Sequence, residues 1–137
     1  MLKYNVVPKK NPMDKSIKFY AQLVPVTPIS LEKIAKNIER RSTVSSSDVK
    51  AVLDALEFEI MSALEDGKSV RLGDLGSFRL TIGGKGADSP EEFSTELIER
   101  VNVRFHPSKK MKVNFIVGSA AQTVTFQREK EREEEEE

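Results

Sequence analysis

Residues 67–80 read GKSVRLGDLGSFRL, and the hydrophobic period of this stretch decides the fold class. Val70 and Leu72 alternate with polar neighbours, and Phe78, Leu80 and Ile82 do the same just beyond. A period of two puts one face of an extended strand on a core and leaves the other in solvent, so both runs are read as strands. Between them, Gly73-Asp74-Leu75-Gly76 makes a tight connection, in which glycine supplies backbone angles that strain other residues.

Upstream of this stretch the period becomes 3.6. Leu31, Ile34, Ala35 and Ile38 fall at i, i+3, i+4 and i+7, with Ser30 placed as cap, which predicts a helix ending near Arg41. The string SSSD predicts a second, longer helix, with Ser45 as N-cap and Asp48 at N3 completing a capping box. Its apolar stripe runs through Val49, Val52, Leu53, Leu56, Ile60, Met61 and Leu64, broad enough for more than one packing partner. It ends at Asp66 and Gly67, where glycine takes the left-handed C′ conformation. Downstream, Val101, Val103 and Phe105 predict a further strand reaching Pro107. A helix capped by Ser108 and running to about Val117, then a short closing strand over 122–126, complete an α+β reading.

The first 28 residues hold two extended stretches, LKYNVVP and IKFYAQLVP, and Pro25 and Pro28 mark a boundary before the helices. The expected organisation is a strand-forming extension over 1–28, one domain over 29–128 and a disordered acidic tail over 129–137. A chain of 137 residues is the usual size of one domain, and a second independent one is not expected. The absence of cysteine and the single histidine, His106, exclude disulfides, thiol chemistry and a multi-histidine zinc site. No stretch approaches the ~20 apolar residues of a membrane helix, and MLKYNVVPKKNPMDKSIKFY lacks the apolar run of a secretory signal, so a soluble, cytoplasmic protein is expected.

The formal net charge of zero conceals an asymmetry, since the closing EKEREEEEE holds seven acids and two bases. Without it, 20 Lys and Arg stand against 15 Asp and Glu, an excess that favours a polyanionic partner, though weakly.

Three local features, in order, resemble the HU/IHF family of bacterial histone-like proteins. They are SSSDVKAVLDALEFEI where the family has its second helix, Gly67 to Phe78 where it reads G-x-x-V-x-L-x-x-x-G-x-F, and Phe105-His106-Pro107-Ser108-Lys109 where it reads F-x-P-G-K. The resemblance covers about residues 30–115. The N-terminal extension and the string GADSPEEF are more similar to the longer HU-HIG variants. The resemblance implies two helices interlocked with those of a second copy, a three-stranded antiparallel sheet carrying a β-ribbon arm, and double-stranded DNA held by a homodimer in the nucleoid. It implies no cofactor, metal, membrane or small-molecule substrate.

In this setting Arg79, Lys85, Arg100 and Arg104 lie on or near the arm and its base. Arg79 stands between Phe78 and Leu80, and Arg104 between Val103 and Phe105, so each projects from the face opposite the apolar residues. They are read as lining a concave DNA face, against the blander reading of a solvated sheet face with cross-strand ion pairs. Lys109 occupies the lysine position of the family's F-x-P-G-K motif, with Lys110 beside it and Ser108 in place of glycine. His106 stands where the family often has a basic residue, and a structural role is favoured for it.

The arm departs from the family pattern. HU arms usually carry an R-N-P tip whose proline wedges between base pairs, whereas GGKGADSPEEFSTELIER offers only Pro90, followed by two glutamates. Asp88 or Ser89, then Pro90, Glu91 and Glu92, reads better as a capped helical turn on a reduced arm, with weaker DNA bending. GGKG at 83–86 lacks the phosphate-loop spacing and is read as a hinge. Glu91, Glu92, Glu96 and Glu99 are read as a solvated face, and Phe19, Tyr20 and Phe58 as core or dimer contacts. The rival to DNA binding keeps the fold as a protein-interaction module, with the N-terminal strands as an edge for β-augmentation. No nucleophile, base or metal constellation can be assembled for an enzyme.

Overall fold

Two serines begin the helices. In the computed structural model, which describes residues 1–129, Ser30 Oγ accepts the Lys33 amide and Ser45 Oγ the Asp48 amide, each at 3.2 Å. Each bond satisfies a donor that has no partner inside its own helix. They open α1 (Leu31–Arg41) and α2 (Ser46–Glu65). α2 closes in a Schellman turn. Gly67 sits at φ 78°, its amide donates to the Leu64 carbonyl at 2.9 Å, and the Lys68 amide to that of Ala63 at 3.0 Å.

β3 (Val70–Arg71), β4 (Gly76–Gly84) and β5 (Ile98–Pro107) then form an antiparallel sheet in that order. The β3–β4 connection relies on Gly73 at φ 53° and Gly76 at φ 149°. β3 pairs only through Val70 with Phe78 and Arg71 with Ser77. Past that point β4 and β5 continue as a two-stranded ribbon of about six residues a strand, roughly 20 Å at the usual rise. A register shift at Gly83/Gly84 places Ile98 opposite Gly84. The ribbon's connection holds two 3₁₀ turns, Pro90–Glu92 and Thr95–Leu97, and Ser89 Oγ accepts the Glu92 amide at 3.4 Å in the first. The capped turn expected around Pro90 is therefore present.

After Pro107, Ser108 Oγ accepts the Met111 amide at 3.0 Å and starts α3 (Lys109–Val113). This helix is shorter than the 108–117 expected. The Asn114 carbonyl accepts the Thr123 amide at 3.0 Å, and the Gly118 amide goes to Gln122 Oε1 at 2.8 Å, so the bonds that would prolong the helix are spent on a loop.

The N-terminal strands form as expected. β1 (Leu2–Lys10) and β2 (Ile17–Leu23) pair antiparallel, from Tyr4 opposite Leu23 to Lys10 opposite Ile17. The closing strand, expected over 122–126, is instead β6 (Phe126–Arg128), and it pairs in parallel with β1, Leu2 opposite Phe126. This pairing joins the closing segment to the N-terminal strands. The chain divides into a unit of Met1–Pro28 with the segment from Asn114, and a unit of Ile29–Val113. Glu129, expected to begin the tail, donates its amide to the Tyr4 carbonyl at 2.8 Å and prolongs the β6 ladder. The rest of the expected acidic tail, 130–137, lies outside the described residues.

The second unit encloses little. Ala35, Val49 and Leu64 are its buried apolar side chains among the described residues, while Val52 on α2 is 64% exposed, Phe58 69% and Met61 55%. No helix among the described residues is long and apolar enough to cross a membrane.

Candidate nucleic-acid interface

The β4–β5 register sorts the side chains of the second unit's sheet into two faces. Phe78 lies opposite Phe105, Leu80 opposite Val103 and Ile82 opposite Val101, with the Phe78 and Phe105 rings 5.0 Å apart. The intervening positions fill the other face: Ser77 opposite His106, Arg79 opposite Arg104, Thr81 opposite Asn102 and Gly83 opposite Arg100. Because Val70 pairs with Phe78 and Arg71 with Ser77, Arg71 joins this polar face as well.

Four arginines and one histidine thus share a face that, among the described residues, carries no carboxylate. Arg79 and Arg104 are a directly opposed like-charged pair, whose Cβ atoms in such a ladder stand about 5 Å apart. Both are exposed, and among the described residues neither forms an ion pair. Arg100 lies across Gly83, where a Cβ would come within 2.8 Å of its Nη2. The glycine leaves room for the guanidinium to rest on the ribbon. Ser77, Thr81 and Asn102 add neutral hydrogen-bonding groups.

The remaining sequence candidates fall elsewhere. Lys85 follows the end of β4, where its amide donates to the Leu97 carbonyl at 3.0 Å and its Nζ lies 3.7 Å from Glu99 Oε1. Lys109 and Lys110 open α3, and Lys110 Nζ lies 3.2 Å from Asp74 Oδ2 in the β3–β4 turn. Ser108 ties the same two elements, since its hydroxyl donates to the Asp74 carbonyl and its amide to that of Leu75 at 3.1 Å. Lys109 is exposed and forms no ion pair among the described residues. The structure brings Arg79, Arg100, Arg104 and His106 onto one face and leaves Lys85, Lys109 and Lys110 outside it, two of them engaged by acids. Arg71 is the residue that sequence reasoning missed. It stands between Val70 and Leu72 just as Arg79 stands between Phe78 and Leu80, so the same alternation identifies it.

The ribbon's far end is different in character. The connection after Gly84 carries Asp88, Glu91, Glu92 and Glu96, so a basic ladder ends in an acidic tip. No cluster of three or more metal-ligating side chains occurs among the described residues.

The family model described as HU-HIG, an HU domain fused to a winged helix-turn-helix, Ig or glycine-rich motif, matches residues 1–128. A solved structure from Bacteroides vulgatus, described as a candidate bacterial DNA-binding protein, shares the fold with a TM-score of 0.57 at 18% identity. The alignment covers 81% of this chain and 43% of that one, so the chain spans less than half of its neighbour's length. No curated protein matches the chain.

Proposed function

The chain belongs to the HU-HIG family, and from that premise we propose that it is a non-enzymatic, histone-like DNA-binding protein whose homodimer holds duplex DNA against the arginine face of β3, β4 and β5. The observation that carries this reading is Arg79 directly opposite Arg104 on a face without acids among the described residues. Like charges opposed in a ladder oppose folding, and a polyanion laid across them removes that penalty. Guanidinium groups on a rigid strand pair suit phosphate recognition, since each presents a planar fork of donors.

Low sequence specificity follows from contacts made to phosphates, which carry no base identity. Bending is weaker than in an arm with a cationic tip, because Glu91 and Glu92 beside Pro90 repel phosphates and the proline is spent in opening a 3₁₀ turn. The half-empty core supports a homodimer. A protomer that buries so little of the α2 stripe gains most from a second copy covering it. DNA condensation in a cytoplasmic nucleoid is the role that fits such a protein.

The acidic tip and the exposed β2 edge favour the rival, an interaction module that has lost DNA. Amide chemical-shift mapping with a 30-base-pair duplex separates the two. DNA binding at this face shifts residues 77–83 and 100–106, and two unrelated duplex sequences give the same map. Shifts absent from those strands at saturating DNA reject the proposal.

A further inference from the structure

Among the described residues, the basic excess lies in the first unit. The second unit is balanced, with 14 Lys and Arg against 14 Asp and Glu, its arginines gathered on the sheet and its acids elsewhere. The described part of the first unit carries six Lys and Arg against Asp14 and Glu129. These cations are also sorted by register. Lys9 lies directly opposite Lys18, with Val7 opposite Tyr20 next along the same face, and Lys10 follows opposite Ile17 at the end of the hairpin.

Lys9, Lys10 and Lys18 converge with Asn11, Ser16 and Tyr20 on a shallow cleft of about 210 Å³. All three lysines are exposed, and none forms an ion pair among the described residues. Lys9 Nζ rests 5.6 Å from the centre of the Tyr20 ring, a contact that orients the ammonium without neutralising it. Asp14, the one acid in the hairpin loop, is exposed and bonded to Ser16. Ser16 donates its hydroxyl to Asp14 Oδ1 at 2.7 Å and its amide to the same oxygen at 3.0 Å. These bonds, the hydroxyl's first, hold the Asp14 carboxyl below its ordinary range and keep it ionised, while orienting it toward Ser16. Lys9 and Lys18 thus share one face of the hairpin beside Tyr20, with Lys10 at its end and Asn11 at the cleft, and none of the three lysines is ion-paired among the described residues, which is phosphate-binding chemistry. The ammonium over Tyr20 occupies the ring face that a base would stack on, so the ligand is a backbone and not an unstacked base.

We infer that this hairpin end, centred on Lys9 and Lys18, is a second phosphate-binding site that takes up the backbone of duplex DNA independently of the arginine face. Joined through one chain, two such surfaces raise each other's effective concentration on a single duplex.

The test is a salt titration of duplex affinity on the full-length protein, comparing the intact chain with K9Q/K10Q/K18Q, with K9R/K10R/K18R and with R79Q/R104Q. Every phosphate that a variant no longer neutralises lowers the slope of log affinity against log salt by about 0.9. The glutamine variant is expected to lose about 2 to 3 from that slope and about tenfold or more in affinity near 0.1 M salt, and the arginine variant to keep both. Thermal melts that match the intact protein show that these exposed substitutions leave the fold alone. Residual salt-dependent binding in R79Q/R104Q that vanishes when the lysines are also replaced supports the site. A glutamine variant with unchanged slope and affinity overturns it, whatever R79Q/R104Q does. A weakened lysine variant beside an unaffected R79Q/R104Q would instead leave this site standing and reject the arginine face.

Discussion

Arg79 and Arg104 carry two consequences of opposite sign. As opposed cations they weaken the ladder; as guanidinium groups without an ion pair among the described residues they are the proposed phosphate ligands. Arg79→Glu turns the pair into a cross-strand attraction. The variant is expected to gain stability, by no more than about 1 kcal/mol for an exposed pair, and to lose duplex binding at least tenfold. Urea denaturation and fluorescence anisotropy read the two effects separately. A variant that is less stable than the intact protein, or that binds DNA as well, contradicts the assignment. At this scale the sequence was informative where alternation was strict: Phe78-Arg79-Leu80 and Val103-Arg104-Phe105 each give the face of their arginine. Alternation gives no register between strands, so the direct opposition of the two arginines was not legible, nor was the capture of Lys110 by Asp74, which lies 36 residues away.

The β3–β4 connection shows how an element is fixed by two glycines with different tasks. Gly73 at φ 53° needs only freedom from the left-handed penalty, since nothing lies within 4 Å of where its Cβ would be. Gly76 at φ 149° also lets β5 approach, because a Cβ there would sit on the His106 carbonyl oxygen and against the Phe105 ring. Gly73→Ala is expected to cost about 1 kcal/mol and Gly76→Ala about 3 kcal/mol, with the larger loss also loosening the sheet that carries Arg104. Thermal melts check the order, and equal losses at the two positions contradict it. The helices were readable because their signals are local: Ser30, Ser45 and Gly67 act within four residues. α3 and the closing strand were misplaced because their limits come from distant partners. The Asn114 carbonyl is taken by Thr123, and β6 is positioned by β1, more than a hundred residues earlier in the chain.

Across the whole molecule, the apolar side chains that α2 leaves in solvent, on the edges of its stripe and, with Phe58, on the face opposite it, are what one copy of the chain leaves unanswered. Val52, Phe58 and Met61 are more than half exposed, and transferring such side chains out of water stabilises by about 1.5 to 3 kcal/mol each. A homodimer that covers them has a melting temperature that rises with protein concentration and a mass in solution twice 15.4 kDa. Phe58→Asp is expected to shift the equilibrium to monomer. A monomeric intact protein with a concentration-independent melt contradicts the shared core. Composition also showed where the basic excess lies, since residues 1–28 alone hold five Lys against Asp14; what it did not show was that the closing segment returns through β6 to pair with β1.

The central claim is that the arginine face of the sheet holds DNA through its phosphates. It is tested most directly by the affinity of intact protein and of R79Q/R104Q for a 30-base-pair duplex as a function of salt. The account predicts a steep fall with salt for the intact protein, and for the variant a slope reduced by about 2 for each protomer engaged. Tight binding that is insensitive to salt, or an identical slope in the variant, would contradict it.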